Sequence, residues 1–188
     1  VNGSWSAIIP LKPPGWRKSR LAGRLSAAQR DRLAEEMFHH VAGVLRAVPA
    51  IVDVALLSEC ALPGWAANWI RDQGRGLNAE LCDAAKPRQA KNLLVIHADL
   101  PLLTAGDVFD LIAGDQSGSA IAPDRHGTGT NALALRGVAG FGFAFGALSF
   151  ARHLARARGP MRVVERIGLG LDVDTPEDLD LARESAGF

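Results

Sequence analysis

The sequence predicts an α/β sandwich with a mainly parallel sheet, and three observations carry that prediction. Short aliphatic runs alternate along the chain with segments of helical periodicity, the order of strand-helix-strand units. The runs "SAIIPL", "IVDVALLS" and "LLVI" are continuously apolar, as strands covered on both faces are. At 188 residues and 48% hydrophobic content, the chain is long enough for one domain, residues 1–188, with a full core.

Each element follows from local chemistry. "SAIIPL" is apolar and ends at Pro10, which suits a buried first strand followed by a loop. That loop, "KPPGWRKSRLAG", carries four cations, Lys12, Arg17, Lys18 and Arg20. Ser26 opens a helix: Gln29 completes a capping box, and Leu33, Met37, Val41, Val44, Leu45 and Val48 recur at helical spacing before Pro49. "IVDVALLS" (51–58) is the next strand. From Glu59 to Gly76 periodicity is weak; "AANWI" reads as a short strand and "LNAELCDAA" as an alanine-rich helix. Thr104 caps "TAGDVFDLIAG" with Asp107 three residues on, and Val108, Leu111 and Ile112 share a face. "SAIAP" and "NALAL" read as strands flanking "DRHGTGT", "GALSFARHLARARG" as a basic helix and "MRVVE" as a strand. "LGLDVDTPEDLDLA" reads as a strand running into a final helix. Its "TPED" is explained by helix initiation alone, with Thr175 as N-cap, Pro176 at the first position and Asp178 at the third.

Lys plus Arg (21) nearly balances Asp plus Glu (20), so the chain lacks the basic field that holds nucleic acid, and none is expected as a partner. Cys60 and Cys82 have neither metal-ligand spacing nor the numbers of a disulfide-stapled secreted domain, which points to reduced thiols. The opening stretch has no signal-like apolar run, and no stretch reaches the ~20 apolar residues of a membrane span. The expectation is a soluble, cytoplasmic protein with no membrane partner.

In open parallel sheets ligands gather beyond the carboxyl ends of the strands. That rule selects the loop after Pro10, Asp99, residues 124–130, and Asp172 with Asp174. Carboxylates at one rim repel and lose hydration unless a cation neutralises them, and Mg²⁺ suits a few carboxylates plus phosphate oxygens. Of Asp172 and Asp174, Asp172 is favoured as nearer the body of its strand. The cationic loop can clamp a triphosphate, although it lacks the Walker pattern and also reads as a solvated basic loop. "DRHGTGTNALAL" and the helix start at Gly146 and Ser149 offer backbone N–H groups for a phosphate, or simply turns and core. His126 reads as an exposed loop histidine. No Ser/His/Asp order, Cys/His pair or metal-binding Cys/His cluster stands out. Acidic metal site, cationic loop and phosphate nests together point to phosphoryl or nucleotidyl transfer.

Taken in order, "IIPLKPPGWRKSRLAG", "GLNAEL", "HADLPLL", "PDRHGTGTNALAL", "FGFAFGALSFARHL" and "LDVDTPEDL" resemble the 2-phospho-L-lactate guanylyltransferase family of coenzyme F-420 biosynthesis, over essentially the whole chain. The resemblance implies a three-layer α/β/α sandwich of the nucleotide-diphospho-sugar transferase (GT-A-like, Rossmann-like) fold. It implies transfer of GMP from GTP to 2-phospho-L-lactate, phosphoenolpyruvate or 3-phospho-D-glycerate, with pyrophosphate released and Mg²⁺ as cofactor. By the same resemblance, Lys12, Lys18 and Arg20 are catalytic triphosphate contacts, and Asp99 with Asp172 are Mg²⁺ ligands, Asp174 beside them. Gly76 and Asn78 meet the nucleotide, as does Asp99. Thr130, Gly146 and Ser149 cradle the acceptor's phosphate, and Asp124 stands in or behind the metal's ligands. Two places depart from the family pattern: 59–71 is shorter and richer in tryptophan, and Ala147 and Leu148 replace a tighter turn. The oligomeric state stays open, a homodimer included. A molybdopterin- or sugar-phosphate nucleotidyltransferase and a non-catalytic nucleotide-binding protein are the rival readings.

Overall fold

The computed structural model describes residues 4–65, 68–88, 92–113 and 118–186. In chain order the elements are β1 (Trp5–Pro10), α1 (Ala27–Arg46), β2 (Ile51–Ser58), β3 (Trp69–Arg71), α2 (Leu77–Ala85), β4 (Asn92–Ile96) and α3 (Ala105–Ile112). There follow β5 (Ser119–Pro123), β6 (Thr130–Leu135), α4 (Ser149–Arg156), β7 (Met161–Val163), α5 (Ile167–Gly170) and α6 (Pro176–Ala186). Both predicted capping boxes form: the Ser26 and Thr104 side chains accept from Gln29 N–H and Asp107 N–H, and each partner side chain reaches back. Residues 66–67 of the "AANWI" strand lie outside the described residues, and β3 is confined to Trp69–Arg71.

The strands form a seven-stranded sheet in the order β3-β2-β1-β4-β6-β5-β7. All neighbours pair in parallel except β6, which runs antiparallel to both β4 and β5. That inversion makes β6 begin where the other strands end, so residues 124–129 lie on the same rim as the segments leaving β1 and β4.

Period-two alternation sorts the core into layers. Ala7, Ile9, Leu56, Leu94 and Ile96 face α1 and α3, packing with Phe38, Val41, Val108 and Leu111. Ile8, Ala55, Leu57, Leu93 and Val95 face the other way, onto Leu81 and Ala84 of α2 and Leu154 of α4. A third cluster, Leu21, Met37, Leu171, Val173, Leu179 and Ala182, seats α6 and the loop after β1 beside α1. Trp65 packs edge-on to Phe38 with ring centroids 4.9 Å apart, and the Arg46 guanidinium covers it at 4.2 Å. Among the described residues no helix is long and apolar enough to cross a membrane.

One predicted strand is absent. "IGLGLD" forms the single turn α5 and then irregular backbone, not a strand. The turn packs closely at Gly168, where a Cβ would meet the Asp107 carboxylate and lie 2.6 Å from the Leu102 carbonyl oxygen. Asp107 is itself buried, capped onto Thr104 and paired with Arg166 at 3.1 Å. The turn delivers Val173 N–H to the Asp99 carbonyl at 3.1 Å, docking this segment on the exit of β4.

Because the Leu102 oxygen is backbone and cannot give way, Gly168→Ala is expected to lower stability by about 1–3 kcal/mol in urea denaturation. Gly43→Ala, inside α1 with nothing within 4 Å of the new methyl, is expected to raise it by about 0.5–1 kcal/mol.

Candidate active site

After β4 the chain runs through His97 and Ala98 to Asp99. One carboxylate oxygen each from Asp99, Asp172 and Asp174 lies within 4.8 Å of the others. Of the pair, the sequence favours Asp172; the structure brings both Asp172 and Asp174 to the cluster. Like charges this close need a counter-charge, and Lys18 provides it. Its ammonium pairs with Asp99 and lies 3.1 Å from Asp174 Oδ1, while Arg20 approaches Asp174 at 3.6 Å from a largely exposed position.

Lys18 reaches that place through an uncommon backbone, φ 49° and ψ 42°, at the head of a 3-10 turn over Ser19–Leu21. Such left-handed conformations in residues with a Cβ cost about 1–2 kcal/mol and persist only where neighbours hold them. Two pins do so. Gly15 N–H donates to the Asp31 carboxylate at 3.0 Å, and Arg17, buried, donates to the Lys12 carbonyl and pairs with Glu35, both at 2.7 Å. Arg17 is therefore a brace from the loop to α1. Lys12 is exposed, and among the described residues its ammonium has no ion-pair partner.

The electrostatics are asymmetric. Burial alone pushes the Asp99 carboxyl up, but Lys18 and then His97 outweigh it, and Asp99 is held below the usual carboxylate range. Burial likewise disfavours the Lys18 charge, yet Asp99 and Asp174 raise its pKa. Asp172 goes the other way: burial and the nearby Asp99 push it up, against a hydrogen bond from Asn131. Asp99 Oδ1 is buried with no hydrogen-bond partner, His97 Nδ1 standing 4.0 Å off.

Asn131 was not singled out by the sequence. Its buried amide nitrogen donates to the Leu169 and Gly170 carbonyls at 3.0 and 3.2 Å and to Asp172 Oδ1 at 3.0 Å, tying β6 to the end of α5. Its signal was an amide at the start of an otherwise apolar strand, "NALAL".

The predicted acceptor side forms a second cluster. Thr130 is buried, its Oγ1 3.0 Å from His153 Nδ1. Gly146 turns with φ 114° and Leu148 with φ 54°, bringing buried Ser149 to the first position of α4; Ser149 N–H is used by the Gly146 carbonyl at 3.1 Å. Phe150 N–H donates to the Thr128 carbonyl, joining α4 to the loop before Thr130. Asn78 exchanges two hydrogen bonds with the Phe145 backbone, 3.0 and 2.7 Å, so its amide braces this segment. Gly76, φ 92°, opens α2 and lies exposed. Asp124 stays with its own loop, accepting from His126, Thr128 and Gly129 N–H; burial raises its carboxyl but the Thr128 and Gly129 amides hold it low. His126 is exposed. The two clusters meet through adjacent residues of β6, Thr130 on one side and Asn131 on the other, and through the His97 and Phe145 rings, 5.5 Å apart.

Chemically, a triad of oxygen donors with a buried unpaired oxygen suits a hard divalent cation such as Mg²⁺. The cations beside it suit a polyphosphate, and the Gly146 turn that leads into α4, with Arg152 donating to the Ala147 carbonyl, offers a place for a second anion.

A family model described as guanylyl transferase CofC like matches residues 5–182. A phosphoenolpyruvate guanylyltransferase of Sphaerobacter thermophilus is 41% identical over 188 residues, covering 93% of this chain and 90% of the relative. A 2-phospho-L-lactate guanylyltransferase of Methanoregula boonei is 34% identical over 179 residues, covering 92% and 79%. Among solved structures, a protein of Desulfovibrio desulfuricans G20, provisionally described as a nucleotide-diphospho-sugar transferase, superposes with TM-score 0.75 at 16% identity, covering 96% of this chain and 87% of that one. The likeness establishes the nucleotide-diphospho-sugar transferase fold.

Removing the ammonium in Lys18→Met leaves Asp99 uncompensated and is expected to lower stability at neutral pH by about 2–4 kcal/mol. Asp99 is held low in the fold, so the pair's contribution is present above the unfolded carboxylate value of about 3.9 and is lost as pH falls through the folded value below it. Urea titrations of both proteins should show the gap closing below about pH 4. A gap unchanged down to pH 3 would mean that the Lys18 charge does not hold Asp99.

Proposed function

Because the chain belongs to the CofC-like guanylyl transferase family, we propose that it transfers GMP from GTP to the phosphate of a small phospho-acid. Phosphoenolpyruvate is the acceptor we favour, on the 41% identity to a relative of that name; 2-phospho-L-lactate and 3-phospho-D-glycerate are the alternatives. The observation that carries the reading is the pairing of Lys18 with Asp99 and Asp174 inside a cluster whose three carboxylates lie within 4.8 Å.

An anionic acceptor oxygen forms a bond to the α-phosphorus of GTP; the bond from that phosphorus to the β-phosphate bridging oxygen breaks, and pyrophosphate leaves with its electron pair. The nucleophile is already an anion, so no side chain needs to remove a proton. The obstacle is charge: two unit charges ~5 Å apart repel by roughly 3 kcal/mol at an effective dielectric near 20, and several such pairs act together. Asp99, Asp172 and Asp174 would hold Mg²⁺, which when bound neutralises phosphate charge and polarises the reacting phosphorus. Lys18 stands at the junction, and Lys12 and Arg20, both exposed, extend positive charge toward the incoming triphosphate. Asn131 orients Asp172. Thr130, Gly146 and Ser149 form the acceptor cradle. The product, a guanosine diphosphate ester of the phospho-acid, fits the coenzyme F-420 route, and the same reading places the chain in the cytoplasm.

Pyrophosphate release from GTP with Mg²⁺ is expected only when one of the three phospho-acids is present, and not with CTP or ATP. Asp99→Asn is expected to lose about 10²–10⁴-fold in kcat with its circular dichroism unchanged. A near-normal rate in that variant removes Asp99 from the reaction; release with CTP and a sugar phosphate replaces the guanylyl reading.

A further inference from the structure

His153 lies on α4 one turn beyond Ser149 and is fully buried, flanked by the rings of Phe145 at 4.7 Å and Phe141 at 6.0 Å. Both ring nitrogens are engaged. Nε2 is 2.9 Å from Ala144 N, and a backbone N–H can only donate, so Nε2 must be an acceptor. A neutral imidazole then carries its single proton on Nδ1 and donates it to Thr130 Oγ1 at 3.0 Å. A second proton would set Nε2–H against Ala144 N–H. Burial, followed by Arg156, Arg152 and His97, accordingly lowers the pKa of the ring to about 4.

The consequence falls on Thr130. A hydroxyl can give or take hydrogen bonds, but one that already accepts from a fixed N–H turns its own proton toward another acceptor. Among the described residues no acceptor for that proton is found. His153 also lies beside the other cradle positions: it accepts from Ala144 N–H, two residues before Gly146, and shares a helix face with Ser149.

We propose that His153 is a positioning residue of the acceptor subsite: protonated on Nδ1, it makes the Thr130 hydroxyl a dedicated donor to an anionic oxygen of the acceptor. The proposal rests on the functional reading above for the identity of that subsite. It deepens the reading by giving the acceptor subsite a hydroxyl committed to donation, beside the arginines of α4.

Two near-isosteric substitutions separate the two bonds. His153→Asn keeps a donor near the Nδ1 position and loses the acceptor for Ala144; His153→Gln keeps the acceptor near Nε2 and loses the donor to Thr130. Affinity for phosphoenolpyruvate is measured calorimetrically on the full chain with Mg²⁺ and a GTP analogue bridged by methylene between its α- and β-phosphorus, so that no transfer occurs. Inorganic phosphate, 2-phospho-L-lactate and 3-phospho-D-glycerate are run in parallel. His153→Gln is expected to weaken acceptor binding at least about tenfold while nucleotide affinity stays within about twofold, and His153→Asn to remain within about threefold of the parent. In a Thr130→Val background His153→Gln should add nothing. Imidazole ¹⁵N shifts should show an Nδ1-protonated, non-titrating His153 between about pH 5.5 and 8.

Equal losses in both variants, a matching loss of nucleotide affinity, additive losses with Thr130→Val, or an Nε2-protonated ring would reduce His153 to a packing residue and overturn the proposal. Absence of binding by every anion overturns it too. If the pattern holds while the parent releases no pyrophosphate from GTP, the guanylyl reading fails and the anion subsite stands.

Discussion

Three carboxylates from two distant stretches of chain share a few ångströms at the rim of the sheet, and their mutual repulsion is the constraint around which the rest of the site is arranged. Lys18 answers it directly, at the cost of a left-handed backbone, and much of the loop after β1 serves to keep Lys18 there. Arg17 on Glu35 and Gly15 on Asp31 anchor that loop to α1, and Leu21 seals it into the cluster that also seats Leu171 and Val173. The charge cluster and the small apolar cluster beneath it thus depend on each other: one supplies attraction across the rim, the other fixes distances.

The inverted strand β6 is the second organising feature. Were it parallel, its first residues would lie at the opposite edge of the sheet. Running antiparallel, it presents Thr130 and Asn131 at the rim, on opposite sides of the strand. Asn131 reaches Asp172 and the carbonyls that end α5, while Thr130 reaches His153. One dipeptide therefore couples the acidic half of the site to the half around α4, and the Asp124 loop before it is closed on itself by three backbone amides. An ion pair from Arg125 to Asp178 at 2.5 Å adds a tie between that loop and α6.

Some of the chain was readable because its chemistry is local. Ser26 with Gln29, Thr104 with Asp107 and Thr175 with Asp178 are hydrogen-bond pairs three residues apart, so the helix starts could be read without knowing anything else. Continuous aliphatic runs marked β1, β2 and β4 for the same reason. "IGLGLD" misled because its aliphatic composition is that of a strand, whereas it folds as a turn packed at Gly168 against Asp107 and Leu102, some sixty residues earlier. Arg17 looked like one more cation in a basic loop, and only the position of Glu35 turns it inward.

By itself the sequence determined the α/β alternation, the family, and the residue types that gather at the strand ends, because periodicity, capping and motif order are properties of neighbouring residues. Tertiary structure alone decided which charges meet. The pairing of Lys18 with Asp99 and Asp174, the tether from Asn131 to Asp172, and the neutral His153 between Ala144 and Thr130 join segments between 9 and 156 residues apart. Electrostatics and hydrogen bonding act over a few ångströms of space and are indifferent to separation along the chain, which is why no local pattern announced them.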